Sequence, residues 1–403
     1  MNNKVYRFLY VIFIIVSVLY RYEMITSTVS YRHVISLIML GVSLFAGYRA
    51  DKYMWLYLAF LFCFAISSFV TGYSGMFFNR FFGTYLPFIT ACSATYVLIR
   101  KYQGADLLIW LFVGIGLFDA VITIGQFFRW GFVDQVYSFF SFSYDEDFIE
   151  ASYQRSDYYG RVLVGLFDSV TNGYFLSAVS LLVLCNKKCK FFINVLLWVV
   201  MISASFLAQE RSGFFLAVIF SVFIFIRYLG QKIGYVGVIV GVIIMLFLAV
   251  YAADHTGLLL NGDFRYSKGF DMQNREELRN SAWSYFLQHP LGGFYDYTAR
   301  GNGHPHIFFI NAFLYGGIFG GVIVIYLLFL QLIKIFPFLF KKFSDPNAEW
   351  AFVWGLIYVD YTLISMLHNA SILSGTFLFF IWWGAFLAFS DMFTENRQVE
   401  IKS

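Results

Sequence analysis

Charged residues are scarce in this chain. Asp, Glu, Lys and Arg make up 13% of its 403 residues, whereas a soluble domain usually has about 25%. Hydrophobic residues make up 60%, Phe alone accounts for 52 residues, and the mean hydropathy is +0.69. This composition excludes an ordinary soluble enzyme. It predicts a membrane protein whose aromatic residues contact lipid and pack in its core, and no nucleic-acid partner is expected.

Proline and cysteine are scarce as well. Of the five prolines, only Pro87 lies inside a predicted membrane span, so most of the helices are expected to be unbroken. The four cysteines form no recognisable disulfide framework, and the chain has no nucleotide-binding glycine loop or zinc signature. There is no internal repeat or inverted pair of broken helices, which argues against a transporter. We therefore expect neither a cofactor nor a metal ion.

Twelve apolar stretches, each roughly long enough to cross a bilayer, fill most of the chain. Because hydrocarbon offers the backbone no hydrogen-bond partner, each span is a helix or part of a closed barrel. Continuous apolar runs, without strict alternation, predict helices. The expected fold class is an all-α polytopic membrane protein, with residues 1–403 forming a single integral membrane domain. The predicted spans are 5–20, 33–48, 53–71, 81–99, 105–128, 162–184, 191–207, 213–229, 233–252, 306–333, 350–367 and 376–393.

The basic residues indicate the orientation. If the N-terminus is cytoplasmic, all seven inner segments are basic, as the positive-inside rule requires of short loops. The chain is therefore expected to be a multi-pass protein with both termini in the cytoplasm. Two sizeable polar loops, 129–161 and 253–305, then lie on the outer side. The basic residues of the inner segments are Lys4, Arg7, Arg49, Lys52, Arg100, Lys101, Lys187, Lys188, Lys190, Arg227, Lys232, Lys334, Lys341, Lys342, Arg397 and Lys402.

The second outer loop contains a predicted helix. Asn274 and the glutamate three residues later have the spacing of a capping box, which predicts a helix from about 275 to 287 that stops before Pro290. Arg275 and Arg279 are four residues apart and share a face of this helix. That face either binds phosphate or belongs to a peripheral helix with solvated arginines.

The same loop ends in a segment rich in glycine and histidine that runs into a span. His306 is expected near the positive end of a transmembrane helix, where anions are favoured. The glycines that follow, at positions 316, 317, 320 and 321, allow close contact between helices. For these glycines alone, helix packing is the simpler explanation.

Several charged residues lie at or inside the spans. Arg161 opens the sixth span, and Arg211 lies in a tight outer turn. A charge in a membrane costs about 2.5 kcal/mol or more unless it is solvated or paired, which suggests a function for both residues. The alternatives are snorkelling or, for Arg211, pairing with the adjacent glutamate. Asp119, Asp168 and Asp360 lie inside spans, where they are expected to pair arginines or to line a polar cavity.

Four groups of residues occur in a recognisable order along the chain. They are Arg161, Gly165, Phe167 and Asn172; Arg211, Ser212 and Gly213; Arg279, Trp283, His289, Pro290, Leu291 and Gly293; and His306, Gly317 and Gly320. Their types and spacing resemble the O-antigen polymerase (Wzy)/O-antigen ligase superfamily of bacterial membrane glycosyltransferases. The groups span residues 161–320, and the twelve-helix layout extends the resemblance to the whole chain.

The resemblance implies a GT-C-like fold and an enzyme of the bacterial inner membrane. Its donor would be a glycan on undecaprenyl pyrophosphate at the periplasmic face. A polymerase moves the growing glycan onto a new lipid-linked repeat, whereas a ligase moves it onto lipid A–core. Ile307 replaces the polar residue of the ligase motif, and two sizeable outer loops are more similar to the polymerase, so a polymerase is expected. The first alternative is a ligase, and the second is a flippase or exporter of lipid-linked glycan.

The leaving group of such a transfer is a lipid pyrophosphate. Guanidinium groups bind phosphate oxygens bidentately and stay charged at every relevant pH. We therefore expect Arg161, Arg211 and Arg279 to form an arginine clamp around the pyrophosphate, with Arg300 as a second-tier candidate. Because these arginines can replace a divalent ion, the transfer is expected to be metal-independent.

The acceptor hydroxyl needs a general base. His306 is the first candidate and His304 the runner-up, because an unperturbed histidine titrates near physiological pH. In-line displacement would invert the anomeric centre. The expected partners are undecaprenyl-pyrophosphate-linked oligosaccharides and the lipid bilayer, and a chain-length regulator protein is a candidate partner.

Overall fold

The computed structural model describes residues 2–19, 29–128, 130–139, 165–167, 169–186, 188–208, 211–233, 272–302, 305, 308–340, 345–368, 373 and 377–402. Every regular element within these ranges is a helix, which confirms the predicted all-α class. The elements are α1 (Asn3–Leu19), α2 (Tyr31–Phe45), α3 (Lys52–Val70), α4 (Ser74–Arg80), a π-helical turn (Phe81–Tyr85), α5 (Leu86–Tyr102), α6 (Ala105–Phe127), α7 (Gly131–Phe139), α8 (Ser169–Leu184), α9 (Phe191–Leu207), α10 (Arg211–Ile233), α11 (Met272–Gln288), α12 (Phe294–Ala299), α13 (Phe308–Phe340), α14 (Pro346–His368) and α15 (Leu378–Lys402).

Among the described residues, four helical stretches are long and apolar enough to cross a membrane, and four shorter helices are apolar. The long ones are Lys52–Val70, Ser74–Tyr102, Ala105–Phe127 and Phe308–Phe340. Helices overlap every predicted span except 233–252, most of which lies outside the described residues. A polytopic membrane protein is therefore supported, and the total of twelve spans stays a prediction.

The two outer loops are only partly described. In loop 129–161 the structure describes residues 130–139, which include α7, and in loop 253–305 it describes α11, α12 and their connections. Residues 253–271 lie outside the described ranges.

Contacts divide the chain into two compact units, residues 1–107 with 271–403 and residues 108–270. In the first unit α13 packs along α3, while α15 packs between α5 and α14. Large aromatic side chains fill this core, and the rings of Trp354 and Trp382 stack at 5.6 Å. In the second unit α8 packs against α9 and α10.

Basic side chains meet at one end of the first unit. Arg100 pairs with Glu395 at 2.6 Å, and Lys334 pairs with Asp391 at 3.0 Å. Arg7 donates a hydrogen bond to a backbone carbonyl at the end of α5. These residues come from segments that were predicted to share one side of the membrane, and the structure brings them together. Which side of the membrane this end faces stays a prediction.

Candidate functional site

The segment 289–293, which we call the clip, bonds to the helix that follows the two candidate histidines. The backbone N–H of Ile318 donates to the carbonyl of Pro290 at 2.9 Å, and the N–H of Gly293 donates to the carbonyl of Leu314 at 2.9 Å. The two bonds satisfy backbone groups that would otherwise be unpaired where α13 is broken. The clip is therefore fixed against α13 by the main chain itself.

Glycine is required where the clip meets α13. Gly317, with φ 64° and ψ −165°, breaks the helix and adopts a backbone conformation that is essentially restricted to glycine. A Cβ on Gly317 would lie 2.6 Å from the backbone of Leu291, and a Cβ on Gly292 would lie 2.7 Å from the nitrogen of Gly317. Helix α13 is thus an exception to the expectation that most of the helices are unbroken, because that expectation considered only proline. Gly316 and Gly320 pack on α3, as the simpler explanation predicted.

The helix predicted in the second outer loop is confirmed as α11. It begins before Asn274, so the predicted capping box is wrong, because a capping residue lies just outside the first turn. Ala282, Tyr285 and Phe286 are buried and form the packed face of α11.

Arg279 lies on the exposed side of α11. Its side chain is 45% exposed, and its Nη2 lies 3.2 Å from Oε1 of Glu276. An exposed ion pair of this kind contributes only about 0–1 kcal/mol, so the guanidinium can still exchange its partner for an anionic ligand. Arg275 lies one turn earlier in the same helix, and its side chain is outside the described part.

Arg300 is held by a carboxylate. Its Nη2 lies 2.7 Å from Oδ2 of Asp296, and its guanidinium lies over the ring of Tyr285. The hydroxyl of Tyr285 donates to the same Asp296 oxygen at 2.6 Å, and the His289 ring stacks on Tyr285. Burial raises the pKa of the Asp296 carboxyl, but hydrogen bonds from Tyr285 and Arg300 and the charge of Arg300 outweigh burial and hold the pKa below its ordinary value of 3.8. The group joins α11 to α12, and phosphate binding by Arg300 stays a prediction.

Both candidate bases, His304 and His306, lie outside the described residues. Pro305 between them is described, and its carbonyl accepts a hydrogen bond from the side-chain amide of Asn311. Asn311 is buried in the first turns of α13, so it fixes the backbone between the two histidines. Because α13 begins at Phe308, His306 precedes the helix by two residues, close to the predicted start of the span.

Arg161 also lies outside the described residues, but the segment after it is anchored in the second unit. Oδ1 of Asp119, which is buried in α6, accepts a hydrogen bond from the N–H of Leu166 at 2.7 Å. Oε1 of Gln126 accepts from the N–H of Gly165 at 3.0 Å. Asp119 therefore holds the backbone of the family motif that Arg161 opens.

Of the two other acidic residues predicted inside spans, the structure describes one. Asp168 lies outside the described residues, and Asp360 is fully buried in α14. Whether they line a polar cavity with the arginines stays a prediction.

Arg211 is the first residue of α10, and its side chain is outside the described part. Two residues later, Gly213 meets Gly173 of α8 so closely that a Cβ on Gly213 would lie 2.9 Å from the Gly173 carbonyl oxygen. The structure thus brings the first two motif groups together in the second unit, as it brings the clip and α13 together in the first. The convergence of Arg211 with Arg161 and Arg279 on one cavity stays a prediction.

One cation near the clip was not among the sequence candidates. Arg80 ends α4, directly before the π-helical turn Phe81–Tyr85. Its guanidinium carbon lies 5.5 Å from the ring centroid of Phe294, which follows the clip, and 5.1 Å from that of Tyr315 in α13. The sequence contained a signal for it, because Arg80 precedes a predicted span on the outer side, as Arg161 does.

Comparison with known proteins gives one family match. Residues 196–325 match the family model described as O-antigen ligase, and no curated protein matches the chain significantly. The matched range contains three of the four motif groups, namely those of Arg211, of Arg279 with the clip, and of His306 with Gly317. The match confirms the predicted resemblance to the O-antigen ligase/polymerase superfamily over residues 196–325.

Proposed function

We propose that this chain is a polymerase of O-antigen or a similar bacterial surface polysaccharide. It transfers a growing glycan from undecaprenyl pyrophosphate onto a new lipid-linked repeat unit at the periplasmic face of the inner membrane. The observation that carries this proposal is the family match over residues 196–325. The apolar, all-helical architecture supports it, because both proposed substrates are anchored in the bilayer.

The proposed reaction is a displacement at the anomeric carbon of the donor. A hydroxyl oxygen of the acceptor's non-reducing sugar forms the new glycosidic bond while the bond from the anomeric carbon to the pyrophosphate oxygen breaks. Undecaprenyl pyrophosphate leaves with the electron pair, and the hydroxyl proton passes to His306 as the general base. His304 is the runner-up for this role. Attack from the face opposite the leaving group inverts the anomeric centre.

The arginine clamp stabilises the negative charge that develops on the leaving pyrophosphate. Arg161, Arg211 and Arg279 are the proposed members, and preorganised charge of this kind contributes about 3–4 kcal/mol per lost donor in other enzymes. Arg279 supports this role because its only described partner is an exposed glutamate. Arg300 stays in the second tier because Asp296 already offsets its charge. With this clamp the transfer requires no metal ion.

Two observations favour a polymerase over a ligase. Ile307 stands where the ligase motif has a polar residue, and the two sizeable outer loops are more similar to the polymerase. The description of the matched family favours the second candidate, a ligase that transfers the glycan to lipid A–core. A flippase of lipid-linked glycan would place cations at several depths of the bundle, whereas the candidates here are expected on the outer side.

The glycan pattern of a deletion strain distinguishes these functions. If the chain is the polymerase, the strain still attaches single repeats to the core but loses the ladder of longer chains. Loss of the single-repeat band with accumulation of lipid-linked polymer would establish the ligase instead. Loss of both the single-repeat band and the ladder, with the lipid-linked repeats retained on the cytoplasmic leaflet, would establish the flippase. A wild-type copy of the gene should restore the ladder, and the chain lengths in the restored ladder report on the proposed chain-length regulator.

A further inference from the structure

Arg80 lies in a cage of aromatic rings beside the clip. Its guanidinium carbon is 5.1 Å from the ring centroid of Tyr315 and 5.5 Å from that of Phe294, and the hydroxyl of Tyr295 accepts a hydrogen bond from it. The rings also contact one another, since Phe294 stacks on Tyr315 at 3.9 Å and Phe64 packs on Tyr315 at 4.8 Å. The cage fixes the guanidinium through ring faces.

The charge of Arg80 has no carboxylate within ion-pair distance among the residues that the structure describes. Arg100, Arg279, Arg300 and Lys334, by contrast, each have such a partner. A guanidinium has five N–H donors, and one tyrosine hydroxyl cannot satisfy them all. A charge in apolar surroundings is costly unless it is paired. Arg80 is mostly buried, but part of its surface stays exposed, and an anion can reach it there.

The segment that ends at Arg80 contacts α12, which directly follows the clip, and Thr71 just before that segment lies against the clip itself. The hydroxyl of Tyr295 donates to the carbonyl of Met76 at 3.2 Å, and a Cβ on Gly293 would lie 3.3 Å from the side chain of Thr71. Arg80 therefore lies beside the motif segment that connects α11, with Arg279, to α13. The π-helical turn that follows Arg80 is a rare conformation that often occurs at functional sites.

The surface next to Arg80 is apolar. Phe69, Phe78 and Phe82 are each about half exposed, which offers a hydrocarbon tail an aromatic surface beside the cation. An anionic head next to an apolar tail is the chemistry of a lipid phosphate, and a guanidinium fork fits phosphate oxygens bidentately. We infer that Arg80 binds the pyrophosphate group of the lipid-linked substrate, an inference that rests on the proposed function. Arg80 lies outside the family match, so this adds a phosphate-binding cation from the amino-terminal part of the chain.

The test is a binding measurement on the purified full-length chain in lipid nanodiscs. The probes are undecaprenyl pyrophosphate, undecaprenol without phosphate, and phosphatidylglycerol. The variant Arg80→Met lacks one charge-assisted pair of donors. It should therefore bind undecaprenyl pyrophosphate about tenfold or more weakly than the wild type does. Binding of undecaprenol and phosphatidylglycerol should change by less than about twofold. The matched control is Arg100→Met, at the opposite end of the same helical stretch, which should bind all three probes like the wild type.

Arg80→Lys covers the case in which Arg80→Met does not fold. Lysine keeps a cation over the rings but cannot form two parallel hydrogen bonds, so pyrophosphate binding should weaken about threefold to tenfold. Wild-type affinity in a folded Arg80 variant would overturn the inference. An equal loss of phosphatidylglycerol binding would also overturn it, because Arg80 would then be a general phospholipid contact. If the wild type itself does not prefer undecaprenyl pyrophosphate to undecaprenol, the proposed function fails, and the failure is visible before any variant is compared.

Discussion

At the scale of single residues, Gly317 determines how the clip and α13 fit together. Its positive φ allows the helix to break, and the missing side chain leaves room for the backbone of Leu291. The break then supplies the backbone groups that bond to Pro290 and Gly293. The fit of the clip against α13 thus depends on the absence of a methyl group at this position.

Gly317→Ala should therefore destabilise the protein. A side chain in this backbone region costs on the order of 1–3 kcal/mol, and the close contact with Leu291 adds to that cost. The measurement is the thermal unfolding midpoint in detergent, together with the glycan ladder in cells. Gly41→Ala is the control, because a Cβ at this helical glycine meets nothing within 4 Å and should raise stability by up to about 1 kcal/mol. A wild-type midpoint for Gly317→Ala would contradict the role given to the helix break.

The motif glycines were visible in the sequence, but the break at Gly317 was not. Positive φ leaves no trace in composition, and the partners of the break lie more than twenty residues away in the clip. Arg80 was missed for a related reason, since the rings of Phe294 and Tyr315 reach it only through tertiary packing. The start of α11 was misplaced because Asn274 has capping chemistry but lies inside the helix.

At the scale of elements, Asp296 joins α11 to α12. It accepts hydrogen bonds from Tyr285 on one helix and from Arg300 just after the other. Its pKa is depressed in the folded chain, so the stability it contributes is present above its unfolded value of about 3.8. That contribution is lost as the pH falls through the lower, folded value.

Asp296→Asn should open this junction at neutral pH. The wild type should reach the same state only when the pH falls below the folded pKa of this carboxyl, which lies below 3.8. The measurement is hydrogen exchange of residues 285–302, corrected for the pH dependence of the intrinsic rate. Tyr285→Phe is the matched control, since it removes one hydrogen bond but keeps the ion pair with Arg300, and it should show a smaller loss of protection. Equal protection in Asp296→Asn and the wild type would show that the carboxylate does not join the helices.

At the scale of the whole molecule, membrane architecture was the most predictable property. Continuous apolar runs such as those of α3 and α13 identify spans without any tertiary information. Short basic segments predicted which ends lie together, and Arg100 and Lys334 do meet their partners at one end of the first unit. The candidate site was less predictable because its arginines come from distant segments, and no local pattern encodes whether such residues converge.

The central claim is that this chain transfers a glycan from undecaprenyl pyrophosphate with His306 as the base. Its most direct test is transfer by the purified full-length protein, supplied with the lipid-linked repeat and without added metal. The wild type should form polymer, His306→Ala should form none while still binding the lipid-linked donor, and His304→Ala should retain part of the activity. Wild-type polymer formation by His306→Ala would contradict the assignment of the base, and absence of polymer with the wild type would contradict the proposed polymerase itself.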